Sequence, residues 1–128
     1  MSEDKYFRLT EKEIPLYRGK LIVILTDDLE RLRQEVPGFE GENIFAHTVY
    51  GNRNGWQGCF IILNFKAELQ KVTLGTVAHE ALHAAMFICD ARGISVTAEN
   101  DEAAAYLTGW VVDEIHSAIA ETEFKISA

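Results

Sequence analysis

The sequence predicts an α+β domain in which a small mixed or antiparallel sheet of about four strands packs on two long helices. Two apolar runs rich in β-branched residues, at 21–25 and 59–63, are typical of buried strands. The Gly-Asn-Arg-Asn-Gly segment at 51–55 is typical of a hairpin turn. Helical periodicity then dominates the second half of the chain. The length of 128 residues predicts one domain over residues 1–128.

In the first half of the chain, a charged lead-in over residues 1–12 precedes two predicted strands at 14–17 and 21–26, joined by a tight turn at 18–20. The run at 21–25 is expected to be buried on both faces of the sheet. A short helix is predicted from an N-cap at Asp27 to about Val36, ended by Pro37 and Gly38. Two further strands, at 44–50 and 56–64, are predicted to form the hairpin.

The second half is predicted to form two helices. The first spans about residues 68–92, and Gly93 is well placed to end it. Its expected buried stripe consists of large apolar residues: Leu74, Val77, Leu82, Met86 and Phe87. The second spans about residues 98–121. Its stripe has helical period and comprises Tyr106, Leu107, Trp110, Val111, Ile115 and Ile119.

Composition and charge limit the classes of partner. The net charge of −8 argues against nucleic acid and against anionic membrane surfaces. The apolar runs are too short to span a bilayer, and the first residues are polar, without an apolar signal region. We therefore expect a cytoplasmic protein with Cys59 and Cys89 as reduced core thiols. The sequence leaves the oligomeric state open.

The motif that points to a chemistry is His79-Glu80-Ala81-Leu82-His83, the H-E-x-x-H pattern, in a predicted helix. Residues four apart lie on the same helix face, so both imidazoles can bind one metal ion. Glu80 lies about 100° further around the axis than His79, which places its carboxylate beside the ion, where it can act as a general base. Two imidazoles and a carboxylate suit Zn²⁺.

A simpler interpretation is that both histidines are ordinary helix residues, one hydrogen-bonded in the core and one solvated. The neighbouring residues favour the metal site, because their small side chains leave room for a second helix or a substrate near the imidazoles. These small residues are Gly75, Thr76, Ala78, Ala81, Ala84 and Ala85.

A catalytic zinc needs a third protein ligand. An acid on the next helix fits best, and 99–102 offers Glu99, Asp101 and Glu102. We favour Glu102, which is expected on the inward stripe one turn before Tyr106, near alanines that permit close helix packing. Glu99 and Asp101 are more typical of acids in a first helical turn, and Glu99 remains the reserve candidate.

These residues resemble the motif of the gluzincin class of zinc metallopeptidases, and the short form resembles the compact zincin-like metallopeptidases of bacteria and phages. The resemblance covers about residues 56–115. It implies a zincin-like fold, one Zn²⁺ held by His79, His83 and Glu102, and Glu80 as the catalytic general base. It also implies that strand 56–64 is an edge strand that aligns an extended peptide or protein substrate by backbone pairing.

The chain departs from larger gluzincins, which place an acid soon after the third ligand, because Ala105 and Tyr106 stand there. Asp101 and Asp113 are then hypotheses for orienting a histidine. Tyr106 and His116 are available to stabilise an oxyanion, but a core aromatic and a surface histidine are the simpler interpretations. His47 is most simply an exposed or hydrogen-bonded strand residue.

The predicted function is hydrolysis of a peptide bond by a metal-activated water with Glu80 as the base. The alternative is a zinc-stabilised protein-interaction module that is weakly active or inactive, such as a phage-encoded modulator of a host protein. That alternative is favoured by the small size of the chain, which leaves few walls for a substrate cleft.

Overall fold

The computed structural model describes residues 6–36, 39, 46–53, 55–64 and 72–127. Within these ranges the elements are β1 (Phe7–Glu13), β2 (Lys20–Thr26), α1 (Leu29–Glu35), β3 (Ala46–Arg53), β4 (Trp56–Asn64), α2 (Leu74–Ala91) and α3 (Glu102–Ser127). The α+β class is confirmed, with a four-stranded mixed sheet and two long helices. α2 carries the H-E-x-x-H motif.

The sheet has the strand order β1-β2-β4-β3. β2 and β4 are parallel, whereas β1 with β2 and β3 with β4 are antiparallel. Ile61 of β4 has Val23 of β2 on one side and Thr48 of β3 on the other. The expectation that strand 56–64 lies at an edge is therefore wrong. Its apolar side chains are buried on both faces of the sheet, and β3 is the edge strand on that side.

The sheet lies between two unequal helical layers. α2 contacts β3 and β4, α3 contacts β2, and the two helices pack side by side on the same face. The short α1 contributes Leu32 to a smaller core on the opposite face. The continuous apolar runs of β2 and β4 are buried, as the sequence predicted for residues 21–25, because both faces are covered.

The first strand begins earlier than predicted. β1 occupies Phe7–Glu13, so all but its last residue lies in the segment interpreted as a charged lead-in, and the predicted strand at 14–17 belongs to the connection to β2. Phe7 and Leu9 pack on the α1 side. β1 also carries four charged residues, as edge strands often do. One of them, Arg8, pairs with Glu121 of α3. An edge strand with a half-exposed face lacks the apolar run by which β2 was recognised.

The helix boundaries also shift. Asp28, rather than Asp27, caps α1, because its carboxylate accepts a hydrogen bond from the Arg31 amide. α2 begins at Leu74 with Thr73 as its N-cap, so the predicted start at residue 68 is too early, since 72 and 73 are not helical. The remainder of the predicted start, 68–71, lies outside the described residues, as do residues 44–45 of the third strand and Pro37-Gly38. Gly93 follows the helix with φ +72°, which confirms the predicted end.

The apolar stripe predicted for α2 is largely exposed. Val77 is buried, but Leu74, Leu82, Met86 and Phe87 are exposed. The buried side of the helix carries smaller residues instead, including Ala81, Ala84 and Ala85. The physical reason is position: α3 covers one flank of α2, and no element within the described ranges covers the other flank beyond β3.

The buried stripe predicted for α3 is confirmed in the centre of the helix, but its first residue is exposed. Leu107, Val111 and Ile115 are fully buried, whereas Tyr106 is 47% exposed. Trp110 and Ile119 are half-buried against the main core. The inward face therefore runs through Ala104, not through Tyr106. Among the described helices, none combines the length and the apolar character needed to cross a membrane.

Candidate metal centre

The two motif histidines lie together on the exposed side of α2. The His79 and His83 Nε2 atoms are 3.1 Å apart. Their rings meet edge to face, with centroids 4.7 Å apart and an interplanar angle of 77°. α2 begins at Leu74, so both histidines lie inside the helix. Thr73 caps its N-terminus, because the Thr73 hydroxyl accepts a hydrogen bond from the Thr76 amide at 3.1 Å. The predicted convergence of the two imidazoles is present.

This separation fits two ligands of one zinc ion. Nitrogen ligands at roughly 2.0–2.1 Å from a tetrahedral zinc stand roughly 3.3 Å apart. The 3.1 Å between His79 and His83 Nε2 is close to that value, and both nitrogens lie on exposed side chains that a metal can reach. The same distance also suits a hydrogen bond between a protonated and an unprotonated imidazole nitrogen. The donor set fits zinc as far as these two residues go.

Glu80 is the buried carboxylate beside the imidazoles. It is only 7% exposed, although the histidine before it in the chain is exposed. Its Oε1 accepts a hydrogen bond of 2.6 Å from the Thr48 hydroxyl of β3. Its Oε2 lies 3.9 Å from His79 Nε2. One carboxylate oxygen therefore faces the sheet and the other faces the histidine pair.

Small residues let α2 approach its neighbours. Ala81, Ala84 and Ala85 are fully buried in the main core, where Leu107 and Val111 of α3 also lie. Of the small residues predicted to leave room for a neighbouring helix, these three alanines pack in the core with α3, whereas Gly75 and Ala78 are exposed on the side of the histidines. Close packing of this kind restrains the helix that carries the two imidazoles.

The other end of α2 is joined to the β3–β4 hairpin. Tyr50 packs against Phe87 with ring centroids 6.1 Å apart. The Tyr50 hydroxyl donates to Gln57 Oε1 at 3.0 Å, and the Arg92 guanidinium donates to the same oxygen at 2.7 Å. α2 is thus held along edge strand β3 at two points, near Thr48 and near Tyr50.

Glu102 does not lie on the inward face of α3, where the sequence predicted it. Glu102 is the first residue of α3 and is exposed, so the argument that it lies on the inward stripe is wrong. Glu99 lies in the turn closed by Thr97 and Asn100, before the helix begins. Asp101 directly precedes α3, and its carbonyl accepts the Ala105 amide. Glu102 is therefore the acid of the first turn, a role expected of its neighbours.

Within the parts of the chain that the structure describes, no three His, Cys, Asp or Glu side chains form a group that could hold a metal ion. The structure brings together His79, His83 and Glu80, and no described hydrogen bond or ion pair joins Glu102 to them. Glu102 as third ligand, with Glu99 in reserve, stays a prediction.

No contact described in the structure joins the remaining candidates to the histidine pair. Asp101 and Asp113 are exposed, and neither side chain hydrogen-bonds an imidazole among the described residues. His116 is exposed, as interpreted, but Tyr106 is not the core aromatic that the simpler interpretation required. His47 lies next to Thr48 in β3, so its side chain projects from the opposite face of the sheet.

The residue that the sequence interpretation missed is Thr48. It lies in the predicted strand 44–50, and its side chain is buried against α2. The alternation Ala46, Thr48, Tyr50 was the available signal, because these positions share one face of the strand and all three belong on the α2 side. A threonine in a strand is too common to be singled out without the register of β3 against α2.

Comparison of the chain with protein families, characterised proteins and solved structures found no match.

Proposed function

We propose that this chain is a zinc-dependent metallopeptidase with a zincin-like fold, in which His79 and His83 bind one Zn²⁺ and Glu80 is the general base. The observation that carries the proposal is the spacing within α2. Two exposed imidazole nitrogens lie 3.1 Å apart, and a buried carboxylate oxygen lies 3.9 Å from one of them. This arrangement supplies two zinc ligands and a base beside the ion.

Bound zinc would supply Lewis acidity to the scissile carbonyl. Glu80 Oε2 is the oxygen available for proton transfer, since Oε1 is engaged by the Thr48 hydroxyl. It accepts the proton of the attacking water and returns it to the leaving amine. Burial of the carboxylate keeps bulk water from competing for that position.

The substrate we propose is a peptide or protein in an extended conformation. β3 is the edge strand beside α2, so its backbone, rather than that of β4, is the one to pair with such a peptide. The third ligand remains Glu102 in this proposal, with Glu99 in reserve. We also propose a cytoplasmic location, where the buried thiols of Cys59 and Cys89 stay reduced.

The test compares zinc content and peptide hydrolysis in the wild-type protein and the Glu80→Gln variant. Glutamine keeps the size of the side chain and an oxygen that accepts from Thr48, but it cannot take a proton. We expect about one zinc per chain in both proteins, and turnover reduced at least about 100-fold in the variant. The matched control is Glu30→Gln in α1, an exposed position on the opposite side of the sheet.

The outcome of this comparison is decisive in either direction. Loss of zinc from Glu80→Gln would contradict the assignment of Glu80 as a base beside the ion. Unchanged turnover in that variant, at full zinc content, would show that any hydrolysis arises elsewhere.

A second function, a zinc-stabilised protein-interaction module, is favoured by one observation. The exposed side of α2 between residues 74 and 87 carries no Asp, Glu, Lys or Arg. It carries four large apolar side chains: Leu74, Leu82, Met86 and Phe87. Exposed apolar surface of this kind marks interaction sites. A protein with full zinc content, no hydrolysis of unfolded proteins, and a partner lost on Leu82→Asp would favour this function over the peptidase.

A further inference from the structure

The hydrogen bond between Thr48 and Glu80 joins the edge strand to the candidate base. The Thr48 hydroxyl lies 2.6 Å from Glu80 Oε1 and 3.3 Å from the Glu80 carbonyl oxygen. A hydroxyl has a single proton, so the shorter contact to the carboxylate is the one that receives it. Both residues are buried, so water has restricted access to this hydrogen bond between a hydroxyl and a carboxylate.

The bond divides the carboxylate into two oxygens with different surroundings. Oε1 is directed to β3 by Thr48, and Oε2 is left 3.9 Å from His79 Nε2. A glutamate side chain has three rotatable bonds, so its position beside the imidazoles is not fixed by the helix alone. The hydroxyl of Thr48 supplies the missing restraint from another element of the fold.

We propose that Thr48 is a positioning residue, which holds the Glu80 carboxylate so that Oε2 faces the histidine pair. The proposal rests on the proposed function and deepens it. Thr48 acts through Glu80, and its hydroxyl touches neither the ion nor the substrate. The competing role is purely structural, with the same hydroxyl fastening α2 to β3 through the carbonyl oxygen of Glu80.

The experiment uses Thr48→Val, which keeps the branched shape and removes the hydroxyl, and Thr48→Ser, which keeps the hydroxyl. Loss of a residue that orients a catalytic group is expected to lower kcat by about 10- to 100-fold. KM and zinc affinity are expected to stay within about threefold, since no contact to either is removed. Thr48→Ser is expected to recover kcat to within about threefold of wild type.

A second readout needs no metal and no substrate. In the metal-free wild-type protein, the Thr48 hydroxyl proton is expected to give a slowly exchanging NMR signal that is absent in Thr48→Val. A crystal structure of that variant is expected to show Glu80 Oε2 turned away from His79. The matched control is Thr10→Val in β1, whose hydroxyl donates to the Val23 carbonyl at 3.4 Å. This control is expected to keep wild-type kcat and the Thr48 signal.

Each result decides the matter. Thr48→Val with unchanged kcat, or Thr48→Ser as impaired as Thr48→Val, overturns the positioning role. A variant that loses folding stability and zinc together, with kcat per bound zinc unchanged, assigns Thr48 the structural role instead. Wild-type protein that binds zinc without turnover overturns the peptidase; the positioning role then falls if Oε2 is unmoved in the Thr48→Val structure.

Discussion

The Nε2 atoms of His79 and His83 face each other across 3.1 Å on the exposed side of α2. Two arrangements account for this pair: two ligands of one ion, or a hydrogen bond from a protonated to an unprotonated imidazole nitrogen. Both histidine side chains are exposed. The two arrangements differ in what the protein does when zinc is added.

If the two histidines are ligands of one zinc ion, His79→Ala and His83→Ala should each abolish zinc binding. Each should also abolish the stabilisation of the fold by zinc. Zinc at a free concentration one hundred times its dissociation constant would stabilise the wild-type fold by about 2.7 kcal/mol. The measurement is the thermal unfolding midpoint with and without zinc. A zinc-dependent rise is expected for wild type, and none for either variant.

The control for this experiment is His116→Ala, at an exposed position of α3. It should keep the zinc response of wild type. A wild-type protein that does not respond to zinc at all would leave the hydrogen-bonded pair as the correct description.

The third ligand can be tested by comparing Glu102→Gln with Glu99→Gln. A glutamine at position 102 removes a charged ligand, and we expect zinc affinity to fall at least about tenfold, with a smaller change for position 99. Competition with a chromophoric chelator measures both affinities. Equal affinities for Glu102→Gln and wild type would reject Glu102. A loss confined to Glu99→Gln would move the role to the reserve candidate.

The sequence predicted the parts of the site that depend on local spacing. His79, Glu80 and His83 fall within two turns of one helix, and helical geometry alone sets which face each side chain leaves. The end of α2 at Gly93 is equally local, because its positive φ suits glycine.

The parts that depend on tertiary position were not predictable in the same way. The contact of Thr48 with Glu80 needs the register of β3 against α2, and two residues 32 apart in sequence carry no local signal for it. Leu82 is exposed because α2 lies at the side of its layer. Helical periodicity predicts which residues share a face, but not which face the neighbouring elements cover. The same applies to β4, whose central place follows from a parallel pairing with β2.

Leu107 and Leu82 test the corrected view of the two helices. Leu107 is 0% exposed and Leu82 is 53% exposed. We expect Leu107→Ala to lower the free energy of unfolding by about 2–5 kcal/mol, because it leaves a cavity in the main core. Leu82→Ala should change it by less than about 0.5 kcal/mol.

Urea denaturation of the two alanine variants provides the measurement, with the wild-type protein as reference. A large loss on Leu82→Ala would mean that α2 is covered on its outer flank, contrary to the exposure of that residue. A small loss on Leu107→Ala would contradict the packing of α3 on α2.

Cys59 should make the stability of the fold depend on alkaline pH. Burial of this thiol in the core raises its pKa from 9.0 to about 12. Between these values the unfolded chain loses the Cys59 proton while the folded chain keeps it. The unfolded state then binds fewer protons, so the free energy of unfolding falls as pH rises. The contribution is complete below pH 9.0 and is lost progressively up to about pH 12.

The slope due to Cys59 alone approaches about 1.4 kcal/mol per pH unit inside this window. Cys89, whose pKa burial also raises, and other alkaline groups add to the total. The informative quantity is therefore the difference in slope between wild type and Cys59→Ala, from urea denaturation at several pH values between about 8 and about 10.5. Wild type should lose stability more steeply. Parallel curves, or rapid alkylation of Cys59 in the folded protein near neutral pH, would be incompatible with a buried, protonated thiol.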